Sequence, residues 1–220
     1  MAQDKIFLTK EGNNWFKRNR EALYANELVD PTLSLIELYG LKPKKVLEIG
    51  ASNGWRLALI AEKYKAKCVG IEPSAQAVKD GIKNFPTIIM KRGIASDIPL
   101  KEKFDLVIIN YVMHWISREE LLKAVAEIDR MVMNGGHLII GDFAPDFPTQ
   151  APYHHLPKEN VSTFKMDYPG IFTSTALYRL VSKMTFRHED HAFIAEVKGS
   201  ERGTVSLLKK SLTDFYQSGK

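Results

Sequence analysis

Apolar residues along the chain switch repeatedly between two periods, and the switching lays out an alternation of strands and helices. Lys45 to Ile49 is a short, mostly apolar run of the kind that forms a strand buried on both faces. Leu57, Ile60, Ala61 and Tyr64 then recur at intervals of three and four, which marks the face of a helix packing back on that strand. The rhythm repeats. Cys68 to Ile71 predicts a second strand, followed by a helix capped by Ser74 with Ala75, Val78, Ile82 and Phe85 on one face. Thr87 to Lys91 and Phe104 to Asn110 give the third and fourth strands. Ser117-Arg118-Glu119-Glu120 has capping-box form and opens a helix whose buried face is Leu121, Val125, Ile128 and Val132, with Gly135-Gly136 ending it. His137 to Ile140 is a fifth strand. In the tail, Phe172 to Leu180 reads as a helix, and Lys183 to His188 and Thr204 to Lys209 as strands. The short polar connection around Glu201-Arg202-Gly203 favours antiparallel pairing of those strands. Upstream, residues 11 to 28 read as a loop entering an aromatic-rich helix. Asp30-Pro31 is an N-cap and first helical position, with Leu33, Ile36 and Tyr39 on one face and Gly40 as the stop.

The turn between the first strand and its helix, Gly50-Ala51-Ser52-Asn53-Gly54, decides the chemistry. A dinucleotide turn needs G-x-G-x-x-G, and here the second glycine is Ser52; a P-loop ending G-K-[ST] is missing as well. A nucleoside cofactor without phosphates remains, cradled by the backbone amides of the loop. Glu72, at the end of the second strand, is placed to accept hydrogen bonds from both ribose hydroxyls. Glu48-x-Gly50-x-x-x-Gly54 resembles motif I of the class I S-adenosylmethionine-dependent methyltransferases. The resemblance covers about residues 40 to 210 and implies a doubly wound, seven-stranded, mostly parallel Rossmann-like sheet with an antiparallel C-terminal hairpin. It implies S-adenosyl-L-methionine as cofactor, held by Glu48, Gly50, Ala51, Ser52, Asn53 and Gly54 in the turn and by Glu72 and Pro73 after the second strand. Ile94 and Ala95 would lie beside the adenine, and Asn110 and Tyr111 beside the methionine part. The family commonly places Asp, Ser or Thr where this chain has Ile94, which leaves backbone groups there to read the adenine edge. Asp97 reads as a turn residue. The N-terminal segment, residues 1–39, is a helical lid in proteins of this kind, with Trp15, Phe16, Arg18 and Asn19 as the residues to close it; the alternative is a helix that packs its aromatics on the sheet.

Composition narrows the setting. At 220 residues the chain suits one domain, and its single cysteine, Cys68, excludes an internal disulfide framework. No apolar run approaches the roughly 20 residues that span a bilayer. Met1-Ala2-Gln3-Asp4-Lys5 lacks the apolar stretch of a secretory leader, so a cytoplasmic protein without membrane partners is expected. The net charge of +5 comes from scattered lysines, which makes a solvated surface the better reading than a nucleic-acid groove. A homodimer is left open.

Methyl transfer to a neutral nucleophile releases a proton, so a histidine near neutral pKa is the natural base. His154 and His155, in a Pro- and aromatic-rich substrate loop over residues 142–170, come first, then His114 after the fourth strand, then Asp142. Asp142 and Asp146 with the histidine pair also suggest metal ligation, but adjacent histidines in an extended segment point apart, and no closed ligand spacing supports a site. The pattern Asp142-Phe143-x-Pro-x-Phe-Pro with Tyr153-His154-His155, together with Asn53-Gly54-Trp55-Arg56, resembles small bacterial methyltransferases of surface-polysaccharide or other small-molecule pathways. The acceptor implied is an O or N nucleophile of a sugar or related metabolite. The competing readings are a non-catalytic S-adenosylmethionine-binding regulatory protein and an RNA or protein methyltransferase.

Overall fold

In the computed structural model, which describes residues 3–25, 28–217 and 219, the apolar runs become strands in the expected sequence. They are β1 (Lys45–Ile49), β2 (Lys67–Glu72), β3 (Ile89–Arg92), β4 (Phe104–Asn110) and β5 (Val132–Phe143). Tyr178–Arg187 (β8) and Arg202–Lys210 (β9) complete a seven-stranded sheet in the order β3-β2-β1-β4-β5-β9-β8. β1 to β5 pair in parallel, and β9 runs antiparallel to both β5 and β8. The expected mostly parallel sheet with an antiparallel terminal hairpin is the one observed. Strand order reverses between β1 and β4, and such a switch point opens a crevice at the C-terminal strand ends.

Both faces of the sheet are covered. Within β1, Leu47 and Ile49 enter one core with Ala124, Ile128 and Met131 of α6 (Leu121–Met131) and Tyr168 and Phe172 of α7 (Tyr168–Thr173). Val46 enters the other, with Leu35 and Ile36 of α3 (Pro31–Leu38) and Leu57, Ile60 and Ala61 of α4 (Trp55–Tyr64). Each fully buried Leu or Ile contributes roughly 1.5–3 kcal/mol. The period-2 alternation therefore sends Glu48, 1 % exposed, toward the face that carries Arg56.

Several boundaries differ from the sequence reading. The segment before α3 is helical from its first described residue: α1 (Gln3–Ile6), a π-helical turn (Phe7–Glu11) and α2 (Gly12–Ala25), with no entering loop. The Met1-Ala2 part of the leader argument and positions 26 and 27 of the same segment lie outside the described residues. Asp30 does cap α3, accepting from Leu33 N at 2.8 Å, and Ser74 caps α5 (Ala75–Asn84). The buried positions of α5 are Ala77 and Gly81, however, while Ile82 is 57 % exposed.

The capping box does not form. Ser117 N instead donates to Asp4 Oδ1 at 3.0 Å, and Glu120 precedes α6 with no side-chain bond. That helix ends at Met131 rather than at Gly135-Gly136, which β5 takes into its own span. Tyr178 to Leu180 belongs to β8 and not to a helix, because pairing with β9 outweighs a helical spacing of apolar residues. The segment over 142–170 is more ordered than a loop: β6 (Thr149–Pro152) and β7 (Ser162–Lys165) form a separate antiparallel hairpin.

Candidate active site

The β1–α4 turn is built on two positive-φ glycines, Gly50 (φ +75°) and Gly54 (φ +78°), with Ser52 also left-handed at φ +52°. At Gly50 the need for glycine is steric as well, since a Cβ there would come within 2.1 Å of Val112 Cγ2. The turn's amides are not aimed outward as the sequence suggested. Gly50 N and Ala51 N both donate to Ile71 O (2.8 and 3.1 Å), Gly54 N donates to Ala51 O (2.8 Å), and Ser52 N donates to Glu72 Oε2 (2.9 Å). Asn53, fully buried, turns its amide to Asp80 at 3.2 Å. Glu48 is engaged by Arg56, which also donates to Asp30 Oδ2 at 2.8 and 2.9 Å, so the motif's acid anchors β1 to α4 and to the cap of α3.

Glu72 stands at the end of β2 beside the turn. Its Oε2 receives Ser52 N and its Oε1 receives Ser74 N, each at 2.9 Å. Burial outweighs those donors and raises its pKa from the usual carboxyl range to about 7. Pro73 is half-buried, and its carbonyl accepts from Arg92 Nε. Ile94 is half-buried and Ala95 buried in the loop after β3. Asp97 is exposed and donates its amide back to Ile94 O at 3.1 Å, as expected of a turn residue. Two buried polar atoms of the motif-I region, Ser52 Oγ and Glu48 Oε2, have no hydrogen-bond partner among the described residues. A buried polar atom without a partner is uncommon and calls for a ligand or ordered water.

The N-terminal segment reaches the loops that border this region. Gln3 Nε2 donates to Trp115 O (2.5 Å) and Ser162 O (2.7 Å), and Asp4 Oδ2 accepts from Ser96 Oγ (3.2 Å). Asn13 Oδ1 accepts from Ser74 Oγ (2.8 Å) and Gln76 N (3.1 Å). Glu11 has no exposed surface; it accepts from Tyr153 OH at 2.8 Å and from Arg18 at 2.5 Å. Trp15 is half-buried, and its carbonyl accepts from Asn19 Nδ2 at 2.8 Å. The N-terminal segment is thus held by Gln3, Asp4, Glu11 and Asn13 together with Arg18, and its first turns include a π-helix, a form often found at functional sites.

Beyond β4, Asn110 lies flat against Gly141, where a Cβ would come within 1.8 Å of its Oδ1. Tyr111 is left-handed (φ +54°), a costly conformation held by its amide's 2.7 Å bond to Gly141 O. His114 follows, 3 % exposed. Its Nδ1 is 2.9 Å from Asp142 Oδ1 and its backbone N donates to Asp142 Oδ2 at 3.2 Å. Phe143 N holds Asp142 Oδ1 from the other side at 2.8 Å.

The rings of Trp115, Phe143 and Tyr111 enclose the imidazole of His114 at centroid distances of 4.5, 5.0 and 6.2 Å. Among the described residues, Nε2 of His114 has no hydrogen-bond partner, so a carboxylate-fixed tautomer would leave that nitrogen's lone pair available as a base. His154 and His155, first in order from the sequence, are exposed on a turn. Their ring centroids lie 3.9 Å apart with the planes tilted by 45°, so the rings do not point to opposite sides, and among the described residues no carboxylate orients either one. The structure therefore brings His114 and Asp142 together and leaves the pair at 154 and 155 outside. Among the described residues no three His, Cys, Asp or Glu side chains gather to hold a metal ion.

Two neighbours were not foreseen. His188, at the end of β8, meets Tyr111 OH with Nδ1 at 2.9 Å and Phe143 at 4.6 Å between centroids; Lys165 Nζ lies 3.8 Å from the Phe143 ring centroid. Neither has a local sequence signal, since β8 and β7 place them only after the chain has closed on itself.

The sequence model of the methyltransferase domain family matches residues 47–140. An uncharacterized methyltransferase of Alkaliphilus oremlandii is 28 % identical over 132 residues, 59 % of this chain and 61 % of its own length. A malonyl-[acyl-carrier protein] O-methyltransferase of Halorhodospira halophila is 23 % identical over 130 residues, 57 % of this chain and 43 % of its own. The match spans less than two thirds of each relative. Among solved structures, the 1,6-didemethyltoxoflavin-N1-methyltransferase of Burkholderia thailandensis superposes with TM-score 0.72 at 12 % identity, over 96 % of this chain and 91 % of that one. The TehB-like methyltransferase of Corynebacterium glutamicum gives 0.66 at 19 %, over 91 % and 98 %. At these identities the likeness is one of fold.

Proposed function

We propose that this chain is a class I S-adenosylmethionine-dependent methyltransferase that transfers the methyl group of S-adenosyl-L-methionine to an O or N nucleophile of a small molecule, a sugar or related metabolite; the family match over residues 47–140 and the likeness in fold support this reading. The observation that carries this reading is the pairing of two groups at the strand ends around the switch point. Glu72 closes β2 beside the glycine turn, and the His114–Asp142 pair closes β4 and β5. The first suits a nucleoside and the second a proton acceptor.

The residues present fit such a cofactor. Glu72 offers acceptor oxygens for a ribose diol, Ile94 and Ala95 border an adenine face, and Ser52 Oγ and Glu48 Oε2 are polar atoms without a protein partner. Gly50, Gly54 and Pro73 shape the wall, and Asn110 and Tyr111 flank the methionine part. The sulfonium, when bound, supplies a methyl group with its own leaving group, so the protein's task is alignment and exclusion of water. The N-terminal segment and the β6–β7 hairpin serve that exclusion, tied to each other through Gln3 and Ser162. His114 Nε2 takes the proton released by the acceptor, while Asp142 holds Nδ1–H and steadies the imidazolium. The aromatic rings packed around His114, itself 3 % exposed, favour a small acceptor over a macromolecule.

Calorimetry with S-adenosylhomocysteine tests the cofactor half. Release of S-adenosylhomocysteine on incubation with S-adenosylmethionine and a panel of hydroxyl and amine acceptors tests the rest. Binding without turnover on any acceptor would leave the regulatory-protein reading in its place.

A further inference from the structure

The acceptor side of the region holds a cation that the chain itself does not neutralise. Lys165, half-buried at the end of β7, makes no hydrogen bond or ion pair among the described residues; its ammonium lies 3.8 Å from the Phe143 ring centroid. The neighbouring carboxylates are already engaged. Asp167 pairs with Lys183 at 3.0 Å and Asp146 with Arg202 at 2.8 Å, while Asp142 is bonded to His114 and to Phe143 N. Contact with an aromatic face contributes far less than the hydration an ammonium surrenders when it is enclosed. Burial lowers the pKa of Lys165 accordingly, with only the more distant charge of Asp142 opposing it.

The cation does not stand alone. The Phe143 ring that receives Lys165 also meets His114 (5.0 Å), His188 (4.6 Å) and Tyr111 (5.1 Å), so basic side chains from β7, from β8 and from the loop after β4 converge on one aromatic plate. His188 titrates well below the usual range, through desolvation first and then through the charges of His191, Lys165 and His114. When Tyr111 OH donates to Nδ1, the neutral, solvent-exposed His188 carries its proton on Nε2 and can donate. An ammonium and a neutral N–H donor beside aromatic walls suit an anionic, partly apolar ligand.

We infer that the acceptor substrate carries a carboxylate or comparable anionic group, which pairs with Lys165 against Phe143 while the nucleophile on the same molecule is presented to His114. This rests on the methyl-transfer reading above and adds a substrate class to it. Lys165 belongs to the hairpin that Gln3 ties to the lid, so the anion would also draw the hairpin over the acceptor.

The test uses the full chain saturated with S-adenosylhomocysteine and two matched pairs of probes, benzoate with benzamide and glucuronate with glucuronamide, titrated by calorimetry and by tryptophan fluorescence. At least one acid should bind about tenfold or more tightly than its amide, a difference of about 1.4 kcal/mol. That preference should fall with added salt and vanish in Lys165→Met. Equal affinity for acid and amide, a preference that survives in Lys165→Met, or no binding of either acid up to about 10 mM, a free energy near 3 kcal/mol, would overturn the inference. Lys165→Met should keep its affinity for S-adenosylhomocysteine, which shows that the variant is folded. If the unsubstituted chain gives no heat with that nucleoside, the methyl-transfer reading has failed instead, and the two failures are told apart.

Discussion

Nδ1 of His114 and Oδ1 of Asp142 lie 2.9 Å apart where β4 and β5 end side by side, and both side chains are 3 % exposed. A carboxylate that fixes one ring nitrogen of a histidine sets the other free for proton transfer. His114→Ala should therefore lower kcat by about 10²–10⁴ with any acceptor that supports turnover, leaving S-adenosylhomocysteine affinity unchanged. Asp142→Asn should lower kcat as well, because its amide no longer holds the required tautomer. His154→Ala/His155→Ala should leave turnover near that of the unsubstituted chain. Single-turnover rates measured beside equilibrium binding decide the matter, and loss of turnover in the 154/155 variant with retention in His114→Ala would reverse the assignment.

Glu72 gives a pH dependence with a definite sign. Burial lifts its pKa from the ordinary 4.5 to about 7 in the folded chain, so the folded state prefers the protonated form. That preference stabilises the chain fully below about pH 4.5 and is lost as pH rises through about 7, a difference of roughly 3 kcal/mol. Glu72→Gln should flatten this part of the stability profile, read by urea titration of the cofactor-free protein. Ribose hydroxyls donate to the ionised form, so S-adenosylhomocysteine affinity should run the other way and strengthen as pH rises through about 7. Glu72→Ala should cost roughly 1.5–3 kcal/mol of that affinity through lost charge-assisted hydrogen bonds.

The N-terminal segment is held by hydrogen bonds between residues far apart in sequence, including Gln3 with Ser162 and Asp4 with Ser117 and Ser96. Desolvation raises the pKa of Asp4, so mild acid should protonate it and weaken its hold on the Ser117 amide. Asp4→Ala leaves that amide without its partner, at a cost of about 1–3 kcal/mol. The expected result is faster proteolytic cleavage within residues 3–25, suppressed by S-adenosylhomocysteine, and a higher KM for S-adenosylmethionine. Cleavage kinetics indifferent to both the substitution and the nucleoside would argue for plain packing of the segment.

What was legible in the sequence follows from the range of the forces involved. β1, β2, β4 and the face of α4 announce themselves because burial imposes a local period on the chain, and the glycine turn because positive φ selects its residues. Tyr178 to Leu180 was hidden because its state is set by β9, more than twenty residues downstream. The capping box failed because Asp4, over a hundred residues upstream in the chain, takes the Ser117 amide. The candidate site divides in the same way: Glu72 could be placed from its position at a strand end, whereas the pairing of His114 with Asp142 depends on the β4–β5 register, which no local pattern announces. Lys165 and His188 had no local signature at all.

Glu48 raises a question that stability and binding can answer separately. Its position in the glycine motif suggests cofactor contact, yet its carboxylate is taken by Arg56, whose guanidinium also bonds Asp30 at the cap of α3. Burial raises the pKa of Glu48 and the charge of Arg56 opposes that rise. Removing Arg56 alone strands a buried carboxylate, so Arg56→Met should destabilise the chain by about 3–5 kcal/mol. For a chain of this size that corresponds to a fall in Tm of roughly 6–20 °C. Adding Glu48→Leu to Arg56→Met removes the stranded charge, and much of the lost Tm should return because apolar packing replaces the pair. Asp30 keeps its bond to Leu33 N at Oδ1 but loses both Arg56 donors from Oδ2 with its side chain 7 % exposed, so the return of Tm is partial. If Glu48 only anchors β1 to α4, the double variant should bind S-adenosylhomocysteine as the unsubstituted chain does. A recovered Tm with weakened binding would instead return Glu48 to the cofactor, through the Oε2 that has no protein partner.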